Sequence, residues 1–177
     1  MIKVATSPIE ITFKSNELIV SKTDRSGNIT YANRTFMKVC NFSESKLLGK
    51  PHNIIRHPDM PKGVFHGLWK TLKTQSEFFG FVKNMTSDGN YYWVFANITP
   101  DFLNGDIVGF YSVRRKAPEK AILTIETLYQ KMLDLESKDN SSDAAEHSWN
   151  WVVQYIEDNM GMSYEQAVLS LYQENQE

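Results

Sequence analysis

Three strand-like runs, FFGFVKNM, YYWVFANITP and DIVGFYSVRRK, follow one another between Phe78 and Lys116, separated by SDGN and LNGD. Asp-Gly and Asn-Gly pairs favour tight hairpins, so this spacing predicts three consecutive antiparallel strands. ELIVSKTD and ITYAN read as a further pair, joined by DRSGN, where Asp24, Ser26, Gly27 and Asn28 supply the turn. Short helical patterns lie between the two groups. RTFMKVC places Phe36, Val39 and Cys40 on one side, and Ser43 precedes ESKLLG, which Gly49 can stop. PKGVFHGLWKTLK sets Val64, Phe65, Leu68, Trp69 and Leu72 on one face, with Pro61 at an early helical position. Two strands, short helices, then three strands predict an α+β domain: a five-stranded antiparallel sheet with helices on one face.

Beyond residue 116 the chain changes character. Pro118 opens a predicted helix to about Leu135, SKDNSSD reads as a linker, and Trp149, Val152, Val153, Ile156 and Met160 form an amphipathic stripe. Asp143 with Glu146, and Ser163 with Gln166, resemble capping boxes, and Gly161 can end the middle helix. The expected division is a cap segment at 1–17, a sensor-sized domain at 18–116 and a helical extension at 117–177. Charge follows the same boundary: residues 1–116 hold 16 Lys/Arg and 9 Asp/Glu, and residues 117–177 hold 3 and 12. The basic excess is dispersed and carries no recognised binding motif, which disfavours nucleic acid. No apolar run of membrane-spanning length occurs and one cysteine cannot form an internal disulfide, so a cytoplasmic protein is expected.

The densest chemistry is NIIRHPDMP, Asn53 to Pro61. As a metal site it is poor, because His57 and Asp59 flank a proline and no other dense His/Cys/Glu cluster joins them. No nucleophile motif or phosphate loop accompanies it, so no catalytic residue is assigned. A structural reading has Asp59 capping the helix that starts near Pro61; it explains Arg56 and His57 less well. Asn33 serves equally as an N-cap or as an amide offered to a ligand. Asn84 and Asn97 are mid-strand amides that need partners if they point inward, and a cross-strand bond is the plain alternative. Trp69 lies on the apolar stripe of its helix. His66 falls outside that stripe, and Cys40 reads as a small core residue.

The element order, with TDRSGNITYANRTF, GKPHNIIRHPDMPKGVFHGLW, GFVKN and YYWVFANITP, resembles a PAS domain, and more narrowly the flavin-binding PAS domain of bacterial aerotaxis receptors. The likeness runs from about Leu18 to Lys116. It implies a PAS fold, non-covalent FAD, and a cofactor cleft involving Asn33, Arg56, His57, Asp59, Trp69, Asn84 and Asn97, with no metal. It implies redox sensing for aerotaxis or energy taxis, without enzymatic turnover, passed to a methyl-accepting chemotaxis receptor. The chain resembles most the separate PAS subunit of two-protein energy-taxis systems. Two departures bear on flavin binding: EFFG stands where the family usually has a Pro-Trp pair, and NMTSDGN and VFAN carry fewer arginines. A PAS module with a haem-filled or empty pocket, or less favoured a small flavin reductase, are the alternatives. The tail is read as covering the sheet, forming a homodimer or docking on the receptor; all three stay open.

Overall fold

A computed structural model of the chain describes residues 3–176. Its order is β1 (Ile19–Asp24), β2 (Ile29–Ala32), α1 (Arg34–Cys40), α2 (Glu44–Leu47), a 3-10 turn at His52–Ile55, α3 (Lys62–Lys73), β3 (Phe78–Met85), β4 (Tyr91–Leu103), β5 (Asp106–Lys116), α4 (Glu119–Lys138), α5 (Ala144–Met160) and α6 (Tyr164–Glu174). The five strands form one sheet in the order β2-β1-β5-β4-β3, so the last strand pairs with the first. The hairpins arise where the turn residues place them. Asn104 and Gly105 have φ of 52° and 90°, as a two-residue loop between β4 and β5 requires. Asp24 accepts from the amides of Ser26 and Asn28, both at 2.9 Å, and closes the β1–β2 turn.

Packing divides the chain into two compact units, Met1–His57 with Val82–Lys116, and Pro58–Phe81 with Ala117–Glu177. In the first unit β1 pairs antiparallel with β5, matching Ile19 to Arg114 and Ser21 to Ser112. β5 also pairs with β4, matching Arg114 to Ala96 and Val113 to Asn97. Directly paired residues share a face, so Ile19, Ser21, Ala96, Ser112 and Arg114 line one face and Asn97 the other. The first face is the core side: Ile19, Phe36, Leu47, Tyr92 and Val94 have no exposed surface. Residues 5–11 run beside the start of β4, with Ile11 N donating to the Tyr91 carbonyl at 2.7 Å.

The second unit shows where the tail goes. α3, α4 and α5 pack together, with α6 against α5. Gly63 and Gly67, one turn apart on α3, create the close approach. A Cβ at Gly63 would strike Ser148 Oγ, the Ala145 carbonyl (2.9 Å) and Met132 Cε (2.9 Å), and one at Gly67 would enter the Trp149 indole. The N-terminus of α3 is capped from α4: Glu136 accepts from Lys62 N at 3.0 Å and Gly63 N at 2.8 Å, and Ser148 Oγ donates to it at 2.7 Å. The N-cap position of α3 is Pro61. Ser163 and Gln166 form the expected capping box on α6. Asp143 sits at the N-cap of α5 without a side-chain cap bond, because its carboxylate accepts from Ser142 Oγ at 3.0 Å. Gly161 ends α5 at φ 62°.

Candidate functional site

The first unit gathers an unusual polar group on the core face of its sheet. Arg114 is only 2% exposed. Its Nη2 donates to Ser21 Oγ, its Nη1 lies 3.4 Å from His52 Nε2, and its guanidinium carbon sits 4.4 Å from the centre of the Phe36 ring. A guanidinium only donates, so His52 Nε2 accepts and the imidazole is neutral with its proton on Nδ1. His52 also stacks on Phe36, with ring centres 5.9 Å apart. Burial, then the charges of Arg114 and Arg56, push the His52 pKa down to about 3. Burial likewise lowers the Arg114 pKa to about 10, which leaves it charged at neutral pH.

His52 has a consequence for acid stability. Its folded pKa lies below the unfolded value of about 6.5, so the unfolded chain takes the proton first. The stabilisation is complete above about pH 6.5 and is lost as pH falls toward 3, at a slope of up to about 1.4 kcal/mol per pH unit. Denaturant titrations at pH 7 and 5 will show this loss, and His52→Asn will flatten it.

Among the described residues, Arg114 Nε and Tyr92 Oη of this unit are buried and have no hydrogen-bond partner. Buried polar atoms are nearly always satisfied, so this pair on one face leaves two donors open to a further acceptor. Tyr92 alternates with Trp93 along β4, and the Lys83 ammonium lies over the Tyr91 and Trp93 rings, 4.6 Å and 5.9 Å from their centres. Asn84, next to Lys83 and only 4% exposed, therefore points to the same side as Tyr92.

The motif segment closes on this side as well. Arg56 forms an antiparallel bridge with Asn84, which lays the stretch after the 3-10 turn along β3. Burial lowers the Arg56 pKa without neutralising it. His57 is 3% exposed and meets the Tyr91 ring edge-on at 6.1 Å. The fold thus lays Arg56 against Asn84, while His57 is buried on the other side, against the Tyr91 ring. Asn33 is occupied as an N-cap: its Oδ1 accepts from Phe36 N at 2.9 Å and Val20 N at 3.1 Å, and its Nδ2 donates to the Leu18 carbonyl at 2.8 Å. Asn97 lies on the opposite face from Arg114. Asp59 and Trp69 belong to the second unit, Asp59 exposed and Trp69 on α3 with 38% of its surface open. Cys40 is fully buried, and burial pushes its thiol up to about 11, so it is no thiolate nucleophile.

No motif in the sequence singles out Arg114, Ser21, Tyr92 or His52. Strand alternation was the available signal for Arg114, which falls two residues from inward Ser112 in SVRR. Among the described residues no group of three or more His, Cys, Asp and Glu is placed to hold a metal ion.

A flavin dinucleotide, the cofactor the motif resemblance implies, presents carbonyl and ring-nitrogen acceptors at one edge and a charged pyrophosphate elsewhere. The donors fit it: two unpartnered buried donor groups, a buried amide and two arginines, all within apolar and aromatic walls.

Residues 29–114 match the family model for the PAS fold. The chain is 42% identical over 114 residues to the aerotaxis receptor of Escherichia coli K12, an alignment covering 64% of this chain and 22% of the receptor. It is 32% identical over 81 residues to the nitrogen fixation regulatory protein of Klebsiella pneumoniae, covering 46% and 16%. Among solved structures, the light-state blue-light photoreceptor Aureochrome1 LOV has a TM-score of 0.56 at 19% identity, covering 64% of this chain and 91% of that one. At that identity the likeness is one of fold. The chain spans less than a quarter of the length of these two curated relatives.

Proposed function

This chain carries a PAS domain of the kind found in the aerotaxis receptor, and we propose that it is a redox or energy sensor that binds FAD and signals to a methyl-accepting chemotaxis receptor. The observation that carries the reading is the donor set on the core face: Arg114 Nε and Tyr92 Oη without partners, beside a motif segment that lays Arg56 against Asn84. When bound, the flavin supplies a centre whose charge and hydrogen-bonding pattern change with its oxidation state. Buried Asn84 orients its polar edge, and the surrounding Ile19, Phe36, Leu47 and Val94 exclude water. In such a low-dielectric interior a new charge is felt strongly by its neighbours. A coupling of about 1–3 kcal/mol to a second conformation would be ordinary for a signalling domain.

The output passes through the helices that grip α3. Trp69 sits on that helix, whose start is held by Glu136 and whose glycine face meets Trp149. The tail is in this reading part of the signalling apparatus and supplies the acidic surface offered to the receptor.

The test is FAD content after gentle purification. Arg56→Ala and Asn84→Ala, each removing a charged or buried donor, are expected to lower bound FAD roughly 10- to 100-fold, the equivalent of about 1.5–3 kcal/mol. Asn97→Ala, on the opposite face, is expected to leave it unchanged. Full FAD in both of these variants would refute the assignment.

A further inference from the structure

We infer that Arg114 is a potential-setting residue: it faces the polar edge of the bound ring and stabilises the negative charge that the ring carries after reduction. This rests on the flavin reading above. Moving a guanidinium from water into a protein interior carries a penalty of several kcal/mol, normally offset by a carboxylate. Arg114 has no ion pair among the described residues. Its neighbours are a hydroxyl, a neutral imidazole and the face of Phe36, and its Nε meets no acceptor. Dipoles and a ring quadrupole do not balance a full charge. The Tyr92 hydroxyl, also fully buried and without a partner, is a second donor on the same face. The pair is thus incomplete without an acceptor that bears negative charge.

The surroundings decide which part of the cofactor that is. A pyrophosphate carries two strongly hydrated charges and calls for many donors at an accessible place. Arg114 instead stands among Ile19, Phe36, Tyr92 and Val94, none of which has more than trace exposure. Those walls suit a planar aromatic ring, and the guanidinium with a phenol hydroxyl suits a carbonyl and a ring nitrogen. Reduction by two electrons with uptake of one proton from water adds one negative charge to the ring. A fixed cation in a dry interior favours that product over the neutral oxidised form. His52, held neutral beside it, leaves the charge of Arg114 unshared.

The experiment is a redox titration of the purified flavoprotein against dithionite and reference dyes. Arg114→Gln is expected to shift the reduction equilibrium about 100-fold toward the oxidised form, a potential lower by about 60 mV for a two-electron couple. Arg114→Lys, which keeps the charge, is expected to recover most of that shift. Tyr92→Phe, which removes one neutral donor, is expected to give about tenfold, or about 30 mV. Unchanged potentials in flavin-loaded Arg114→Gln and Tyr92→Phe would overturn the inference while leaving flavin binding intact. Weaker binding of FAD but not riboflavin by Arg114→Gln, at unchanged potential, would overturn it in favour of a pyrophosphate contact. If Arg114→Gln retains no flavin, the potentials of Arg114→Lys and Tyr92→Phe decide alone: the first near wild type and the second lowered supports it, and an unchanged Tyr92→Phe overturns it. Absence of flavin from the wild-type protein would instead defeat the underlying reading.

Discussion

Alanine at Glu136 is expected to destabilise the helical unit by about 2–4 kcal/mol, because one carboxylate serves three donors and each charge-assisted bond is worth about 1.5–3 kcal/mol. Two of those donors are the amides of Lys62 and Gly63 at the start of α3, and the third is the fully buried Ser148 hydroxyl. Without the carboxylate, the helix start loses its cap and Ser148 keeps only a 3.2 Å bond to the Ala145 carbonyl. Glu136→Gln keeps an acceptor and gives up the charge facing the helix dipole, so it should cost about 1 kcal/mol or less. Denaturant melts of both variants check the ranking. Equal and small losses would show that α3 is held by its apolar face alone.

A side chain at Gly67 is expected to be nearly as damaging. The Trp149 indole occupies the space, and it is boxed in by Tyr164 at 4.6 Å and Phe78 at 6.4 Å between ring centres, so it cannot swing away. Overpacking of this kind costs about 1–3 kcal/mol, against which alanine gains up to about 1 kcal/mol in helix propensity. Gly67→Ala should therefore lower Tm by a few degrees, at roughly 2–4 °C per kcal/mol for a chain of this size. Gly67→Leu should exceed it. A Tm equal to or above wild type for Gly67→Ala would mean that α5 can withdraw from α3 at little expense. That outcome would also weaken the proposed signalling path, which needs α3 and the tail to move as one body.

What could be read beforehand follows the range of each interaction. The two-residue loop at Asn104–Gly105, the Asp24 turn and the Ser163–Gln166 box are made by residues within four positions of one another, and local chemistry announces them. The succession of two strands, short helices and three strands is legible for the same reason, since hairpin signals and alternation are local. Glu136 caps a helix 74 residues earlier in the chain, and no local pattern points from one to the other. The false capping box at Asp143 and Glu146 shows the converse, a local pattern whose carboxylate is taken by the neighbouring Ser142.

The site was half legible. NIIRHPDMP announced itself through its density of charge and its proline breaks, and the fold lays Arg56 against Asn84 while burying His57 against Tyr91. Asn33 kept both readings open until the geometry showed its amide committed to the backbone at three points. Asn97 was grouped with Asn84 because both are mid-strand amides, yet one residue of register separates their faces. Two adjacent arginines and a lysine at the end of DIVGFYSVRRK give no local sign that Arg114 is the one turned inward. The long-range pairing of β5 with β1 turns one of those two arginines inward. Such a residue, at odds with its burial and fixed by distant partners, is where function tends to override local rules.

The central claim is that this PAS domain holds a redox-active flavin, and the absorption spectrum of the freshly purified protein tests it most directly. A yellow protein whose flavin bands bleach with dithionite and return in air, and which releases FAD on denaturation, is the predicted result. A colourless protein with no retained FAD, or one showing a Soret band, would contradict it.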